Sequence, residues 1–188
     1  MKKRLSKKAL ISVCTLIAVL LVLIIWTIWG NTALMVSTVT VSSNRIPTAF
    51  NGFLIAQVSD LHNAVFGENN AELLQILSEC KPNIIVVTGD LVDAEHTDID
   101  VALDFAKEAA QIAGTYYVTG NHEGSLSQYD ELKTGLESMG VVVLEDASMQ
   151  LEYNGEKVTL IGLSDPSFTL KGICLEKFLL WLIRNYGD

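Results

Sequence analysis

A chain of 188 residues, 49% of them hydrophobic, has material for one modest domain but not two. Five of its 13 Lys and Arg residues fall within positions 1–8, so residues 30–188 hold eight against 22 Asp and Glu, a net of −14. A surface of that sign repels a phosphate backbone, and no nucleic-acid partner is expected. Cys14, Cys80 and Cys174 are isolated from one another and form neither a disulfide framework nor a zinc spacing.

Lys2, Lys3, Arg4, Lys7 and Lys8 make Met1 to Lys8 a basic tail, and Ala9 to Trp29 then runs for 21 residues without charge, Gly or Pro. At about 1.5 Å per residue such a helix reaches roughly 30 Å, the hydrocarbon thickness of a bilayer, and exceeds the roughly 7–15 apolar residues of a signal peptide. No small-x-small cleavage pattern follows, and Cys14 lies inside the run, so an uncleaved membrane helix is preferred to a long signal peptide. Positive flanks stay on the cytoplasmic side, and Trp26 and Trp29 suit the opposite interface. Residues 1–8 then form a cytoplasmic tail, 9–29 the transmembrane helix, and the rest an extracytoplasmic part of a single-pass protein in the cell membrane.

Residues 30–50 read as a linker, in which the alternation Val36 to Val41 suggests a first strand or an extended stalk. From residue 51 the pattern becomes globular. Phe53 to Val58 reads as a buried strand, and Asn70 to Cys80 as a helix stopped by Pro82. Ile84 to Val87 is the next strand. Asp98 to Ala113 predicts a helix ended by Gly114, Tyr116 to Val118 a strand, Ser125 to Met139 a helix ended by Gly140, and Val141 to Leu144 a strand. Apolar strands alternating with amphipathic helices imply an α/β fold with a sheet covered by helices. Met149 to Tyr153 and Lys157 to Ile161 flank Asn154-Gly155, the signal of a tight hairpin.

Three polar clusters stand at the carboxyl ends of the first three strands: Asp60-Leu61-His62, Gly89-Asp90-Leu91-Val92-Asp93 and Gly120-Asn121-His122-Glu123. In open α/β sheets this is the ligand-binding edge, so the three should converge. Carboxylate, amide and imidazole are the donors that a divalent cation takes. Asp60 and His62 alternate past one Leu, which lets both face one side. Glycine directly before Asp90 and before Asn121 lets the backbone turn and bring the next side chain in without Cβ crowding.

Through these three motifs the sequence resembles the calcineurin-like metallophosphoesterases, over roughly Asn51 to Pro166. Ile55 to His62, Gly162 to Pro166 and the anchor are most similar to its bacterial membrane-anchored branch. The resemblance implies hydrolysis of a phosphoester by a dinuclear centre of two divalent ions (Mn, Fe, Zn or Mg), with a bridging hydroxide attacking phosphorus. It implies that Asp60, His62 and Asp90 hold one metal and that Asp90 bridges to a second, which also takes Asn121. His122 would stabilise or protonate the leaving oxygen. Asp93 and Glu123 are expected to orient ligands or cap loops, His96 to be a surface histidine, and Asp165 a turn residue.

The family also uses a later lone histidine and a Gly-His-x-His segment, whereas this sequence has histidine only at 62, 96 and 122. Residues 51–188 therefore read as a partial domain, the first half of the family's α/β/β/α sandwich. The apolar stretch Leu175 to Arg184 resembles the start of a helix leading into the missing half. A fragment or frameshifted copy is the preferred reading, and a natural short form with a vestigial, non-catalytic half-site is the alternative.

Overall fold

The computed structural model of the chain describes residues 6–169. The expected apolar helix at 175–184 and Cys174 lie outside them. The chain divides into two units, Met1–Thr40 and Val41–Asp188.

The first unit contains helix α1, Lys7–Thr32, which extends the expected span slightly at both ends. Ser6 caps it by accepting the Ala9 amide, and the hydroxyls of Thr15 and Thr27 donate to the carbonyls of Ile11 and Leu23. Both threonines of the apolar run thus satisfy their hydroxyls inside the helix. After α1, residues 33–43 form neither a helix nor a strand. The alternating valines have no ladder partner among the described residues, so the strand expected there is absent.

The second unit is built on a parallel sheet of β1 (Ile55–Val58), β2 (Ile84–Thr88), β3 (Gly114–Val118) and β4 (Val142–Val143), in the order β1-β2-β3-β4. Helices α2 (Ala71–Cys80), α3 (Ile99–Ile112), α4 (Asn121–Ser125) and α5 (Tyr129–Ser138) fall in the connections. A sheet whose order advances in one direction, joined by right-handed crossovers, receives its helices on one face. The burial follows that rule. Val58, Ile85, Val87, Thr115 and Tyr117, alternate positions along their strands, are buried, while Ile55 on the other face is 51% exposed. Gln57 and Thr88 hydrogen-bond to each other on that second face. The expectation of a fully buried first strand is corrected accordingly: β1 is an edge strand covered on one side.

Helix α2 ends at Cys80, followed by Lys81 in the left-handed conformation and then Pro82. Asp98 caps α3 rather than opening it. The helix expected over 125–139 is replaced by the short α4 and by α5, because Leu126 between them is extended and buried. The hairpin β5 (Ala147–Tyr153) and β6 (Glu156–Gly162) turns at Asn154-Gly155, both at positive φ, as its sequence predicts. Phe50, Phe53 and Tyr153 form an aromatic cluster that ties the start of the domain to β5. The short helix α6, Pro166–Thr169, follows Asp165, whose carboxylate accepts the Ser167 amide, the turn role expected of it.

Candidate metal centre

The three polar clusters meet at the carboxyl edge of β1, β2 and β3, and backbone bonds zip the first two together. The amides of Asp60, His62 and Asn63 donate to the carbonyls of Gly89, Asp90 and Leu91 at 3.2, 2.9 and 3.1 Å. Asp60, His62, Asn63 and Asp90 all adopt left-handed backbone, with φ of 56°, 46°, 59° and 50°. Such conformations cost about 1–3 kcal/mol each and persist only where surrounding structure enforces them. They also correct the sequence argument for Asp60 and His62: the two do not alternate as strand residues, and a left-handed turn aims them instead.

The two glycines are required by contact. A Cβ on Gly89 would stand 2.6 Å from the Cα of Gly120, and one on Gly120 would stand 2.3 Å from Oδ1 of Asp90. Only this pair lets the ends of β2 and β3 touch and leaves room for the Asp90 carboxylate.

One ligand atom each of Asp60, His62 and Asp90 lie within 4.8 Å of one another. Nε2 of His62 is 3.9 Å from Oδ1 of Asp60, and Nδ1 of His62 is buried with no hydrogen-bond partner among the described residues. Two carboxylates gathered around an imidazole, with an orphaned buried nitrogen, are the donor set that a divalent cation resolves, so the residues fit a metal. The family profile described as calcineurin-like phosphoesterase matches residues 53–179, which takes in all three clusters.

The chain belongs to the calcineurin-like phosphoesterase family. Its fold, an α/β unit on a parallel four-stranded sheet, is of the metallophosphoesterase type. It is 28% identical over 157 residues to the "Transmembrane protein with metallophosphoesterase domain" of Bos taurus, a match covering 77% of this chain and 35% of that protein. It is 30% identical over 117 residues to the "Uncharacterized metallophosphoesterase YkoQ" of Bacillus subtilis, covering 60% of this chain and 43% of that protein. The chain thus spans less than half the length of either relative. A solved structure of a phosphopantetheinyl hydrolase from Mycobacterium tuberculosis aligns with a TM-score of 0.43 at 21% identity, over 58% of this chain and 41% of that one.

Within this phosphoesterase domain the remaining predicted residues take distinct places. Asn121 opens α4 beside Gly120 and is exposed. His122 follows it: its amide donates to Oδ1 of Asp90 at 2.8 Å, and its Nδ1 accepts the Ala94 amide at 3.0 Å. A nitrogen that accepts carries no proton, so the neutral ring holds its proton on Nε2. The rings of His62 and His122 pack edge to face with centroids 4.3 Å apart.

Glu123 is 0% exposed, and its carboxylate accepts four amides. Oε2 takes those of Asp90 and Gly120 at 2.9 and 2.8 Å, and Oε1 takes those of Leu91 and Val92 at 2.8 and 3.3 Å. One buried charge thereby holds the loop after β2 against the loop after β3. Close to it, burial pushes the Tyr117 phenol far above its ordinary range, and the charge of Glu123 adds to the effect. Asp93 caps the following turn: the amides of His96 and Glu95 hold its carboxyl below the usual range. His96 itself is 87% exposed, the surface residue expected of it.

The sequence reading passed over Asn63. Its Oδ1 accepts the amides of Asp93 and Asp98 at 2.8 and 3.2 Å, and its Nδ2 donates to the Asp98 carbonyl at 2.5 Å. Ser59 was also missed: its hydroxyl donates to Oδ2 of Asp60 at 2.5 Å. Both signals were local, a Ser directly before and an Asn directly after the Asp-Leu-His motif.

Proposed function

We propose that this chain is a membrane-anchored, metal-dependent phosphoester hydrolase whose domain lies outside the cytoplasmic face. The observation that carries this reading is the convergence of Asp60, His62 and Asp90 on one metal-sized space at the carboxyl edge of the sheet. Asp60, His62 and Asp90 would hold a first ion, and Asp90 with Asn121 a second. Divalent ions held there would neutralise the phosphate oxygens and make water acidic enough to act as a nucleophile at neutral pH.

The chain's own groups supply the rest. His122 presents Nε2–H, which can pass its proton to the departing oxygen, and the Ala94 amide fixes that tautomer. Oδ1 of Asp90 is steadied by the His122 amide, and the whole loop is steadied by Glu123. Ser59 constrains one oxygen of Asp60, leaving the other directed at His62.

A second reading, a phosphoesterase-like protein that binds an ion and does not turn over, is supported by one feature. Beyond His62, His96 and His122 the sequence offers no histidine, so Asp90 and Asn121 alone would serve a second ion. Turnover of an aryl phosphate monoester and a diester by the full chain in nanodiscs, with and without Mn²⁺, separates the two. Manganese-dependent turnover abolished by Asp90→Ala supports the hydrolase, and absence of turnover with Mn²⁺ bound supports the second reading.

A further inference from the structure

The segment that follows α1 carries no charge. From Ala9 to Asn44 the sequence holds no Lys, Arg, Asp or Glu, and Arg45 is the first charge after Lys8. Residues 35–42 make no backbone hydrogen bond with another described residue. We propose that residues 33–40 lie along the lipid interface where α1 leaves the bilayer, as an amphipathic extended strap, instead of standing off the membrane. The proposal rests on the reading of α1 as a membrane-spanning helix and is independent of phosphoester hydrolysis.

The length of α1 sets where the segment begins. The part apolar enough to cross a bilayer is Lys7–Thr27, 21 residues with a mean hydropathy of 3.0, and the helix continues to Thr32. At about 1.5 Å per residue the extra turn and a half rises roughly 7–8 Å above the hydrocarbon, about the depth of a headgroup layer. Trp26 and Trp29, both exposed, suit the same level. Ala33 then donates its amide to the Trp29 carbonyl at 2.9 Å and takes extended backbone. Residues 33 onward therefore start inside the interface, not in open water.

Laid out in extended form, successive side chains point to opposite sides. Met35 and Val39, 84 and 83% exposed, share one side with Ser37, and Val41 continues that row in the sequence. The other side carries Leu34 and Val36 next to the helix, then Thr38 and Thr40. Laying the first side on lipid removes from water apolar area that a free-standing segment leaves exposed. Headgroups and interfacial water supply partners for the open amides and for the threonine hydroxyls, which the hydrocarbon core does not. The segment thus fits the interface and no deeper level. Its covalent link to α1 holds it there without the entropy loss of a free peptide binding. With no charge of its own, it needs no anionic lipid.

The test places single nitroxide labels on the full chain in phosphatidylcholine nanodiscs, with Cys14, Cys80 and Cys174 replaced by Ala. Power saturation compares collisions with oxygen, which enters lipid, and with a water-soluble nickel complex. Labels at Met35→Cys and Val39→Cys should favour oxygen, as a control at Leu20→Cys within α1 does, and labels at Thr38→Cys and Thr40→Cys should favour nickel. Adding Met35→Asp, whose carboxylate keeps its hydration, should shift the Val39→Cys label from oxygen to nickel. Nickel favoured at Val39→Cys with oxygen still favoured at Leu20→Cys overturns the strap and leaves the spanning helix intact. Nickel favoured at Leu20→Cys overturns the spanning helix, and the strap with it. Dipolar broadening between Val39→Cys labels of two copies in one disc also overturns the proposal, because a second copy would then cover this side.

Discussion

The carboxylate of Glu123 accepts the amide of Asp90 at 2.9 Å from a position with no solvent exposure, which makes a buried acid the support of the aspartate at the candidate metal centre. Glu123→Ala would leave the amides of Asp90, Leu91, Val92 and Gly120 without this acceptor in a buried space. Stranded buried donors cost about 1–3 kcal/mol each, partly relieved by relaxation, so a loss of roughly 3–5 kcal/mol is expected. Urea denaturation followed by circular dichroism measures it. A loss below about 1 kcal/mol would show that the loop does not depend on this brace.

Gly120→Ala isolates the close approach of the two strand ends. The new Cβ would sit 2.3 Å from Oδ1 and 2.5 Å from the amide nitrogen of Asp90. Asp90 cannot retreat, because its amide is held by Glu123 and its carbonyl by His62. The clash must be relieved at the carboxylate, so Mn²⁺ affinity should fall at least about tenfold, with a stability cost of roughly 1–3 kcal/mol. Titration of the variant with Mn²⁺ decides: an unchanged Kd would mean that Asp90 is free to shift.

Away from that centre, Glu145 accepts from the ammonium of Lys133 at 2.6 Å and from the hydroxyl of Tyr129 at 2.5 Å. Burial alone would raise the Glu145 carboxyl, but these two donors outweigh it and hold the group below its usual range. A carboxyl depressed in the folded state contributes stability above its unfolded pKa and loses it as pH falls through the folded value. The hydrogen bond to Glu145 raises Lys133, so that partner's contribution is lost only at strongly alkaline pH. Glu145→Gln should cost about 0.5–1 kcal/mol at pH 7. The difference from the parent should shrink as pH drops below the ordinary glutamate value of about 4.3. A difference independent of pH between 7 and 3 would assign the cost to packing instead.

The parts of the fold legible in the sequence were those decided locally. Asn154-Gly155 specified its hairpin because both residues accept positive φ. The apolar run at Ile84 specified β2 because this central strand buries Ile84, Ile85 and Val87 and half-buries Val86 and Thr88. Other features depended on distant partners. Nothing near Ile55 reveals that only one face of β1 is covered, since that follows from the order in which the strands assemble. The left-handed turns at Asp60 and His62 are enforced by carbonyls from residues 89–91, so an alternation argument could name the residues and still mistake their backbone. Likewise Glu123 could be assigned to loop support, but the four amides it gathers come from two strands of sequence 30 residues apart.

The orientation of α1 rests on five positive charges before an apolar run and none after it until Arg45. Protease added to intact cells should remove the domain and leave an epitope at the N-terminus protected. Digestion of the N-terminal epitope with the domain spared would reverse the topology and place the ion site on the cytoplasmic side.

Ion stoichiometry tests how much of a two-metal site this chain can build. Asp60, His62 and Asp90 would give a first ion three protein donors, and water readily completes the shell of an oxygen-preferring cation. A second ion would find Asp90, already shared, and Asn121. Two-metal chemistry needs both, because one ion cannot hold the nucleophile and also neutralise the charge on phosphate. Titration of the full chain with Mn²⁺ should therefore give one tight equivalent and a second, much weaker one, with turnover rising only as the second is filled. Asp60→Asn should weaken the tight equivalent at least about tenfold, whereas Asn121→Ala should leave it within about threefold. Two tight equivalents, with the second lost in Asn121→Ala, would show that Asp90 and Asn121 suffice with water alone, and turnover should then appear together with the second ion.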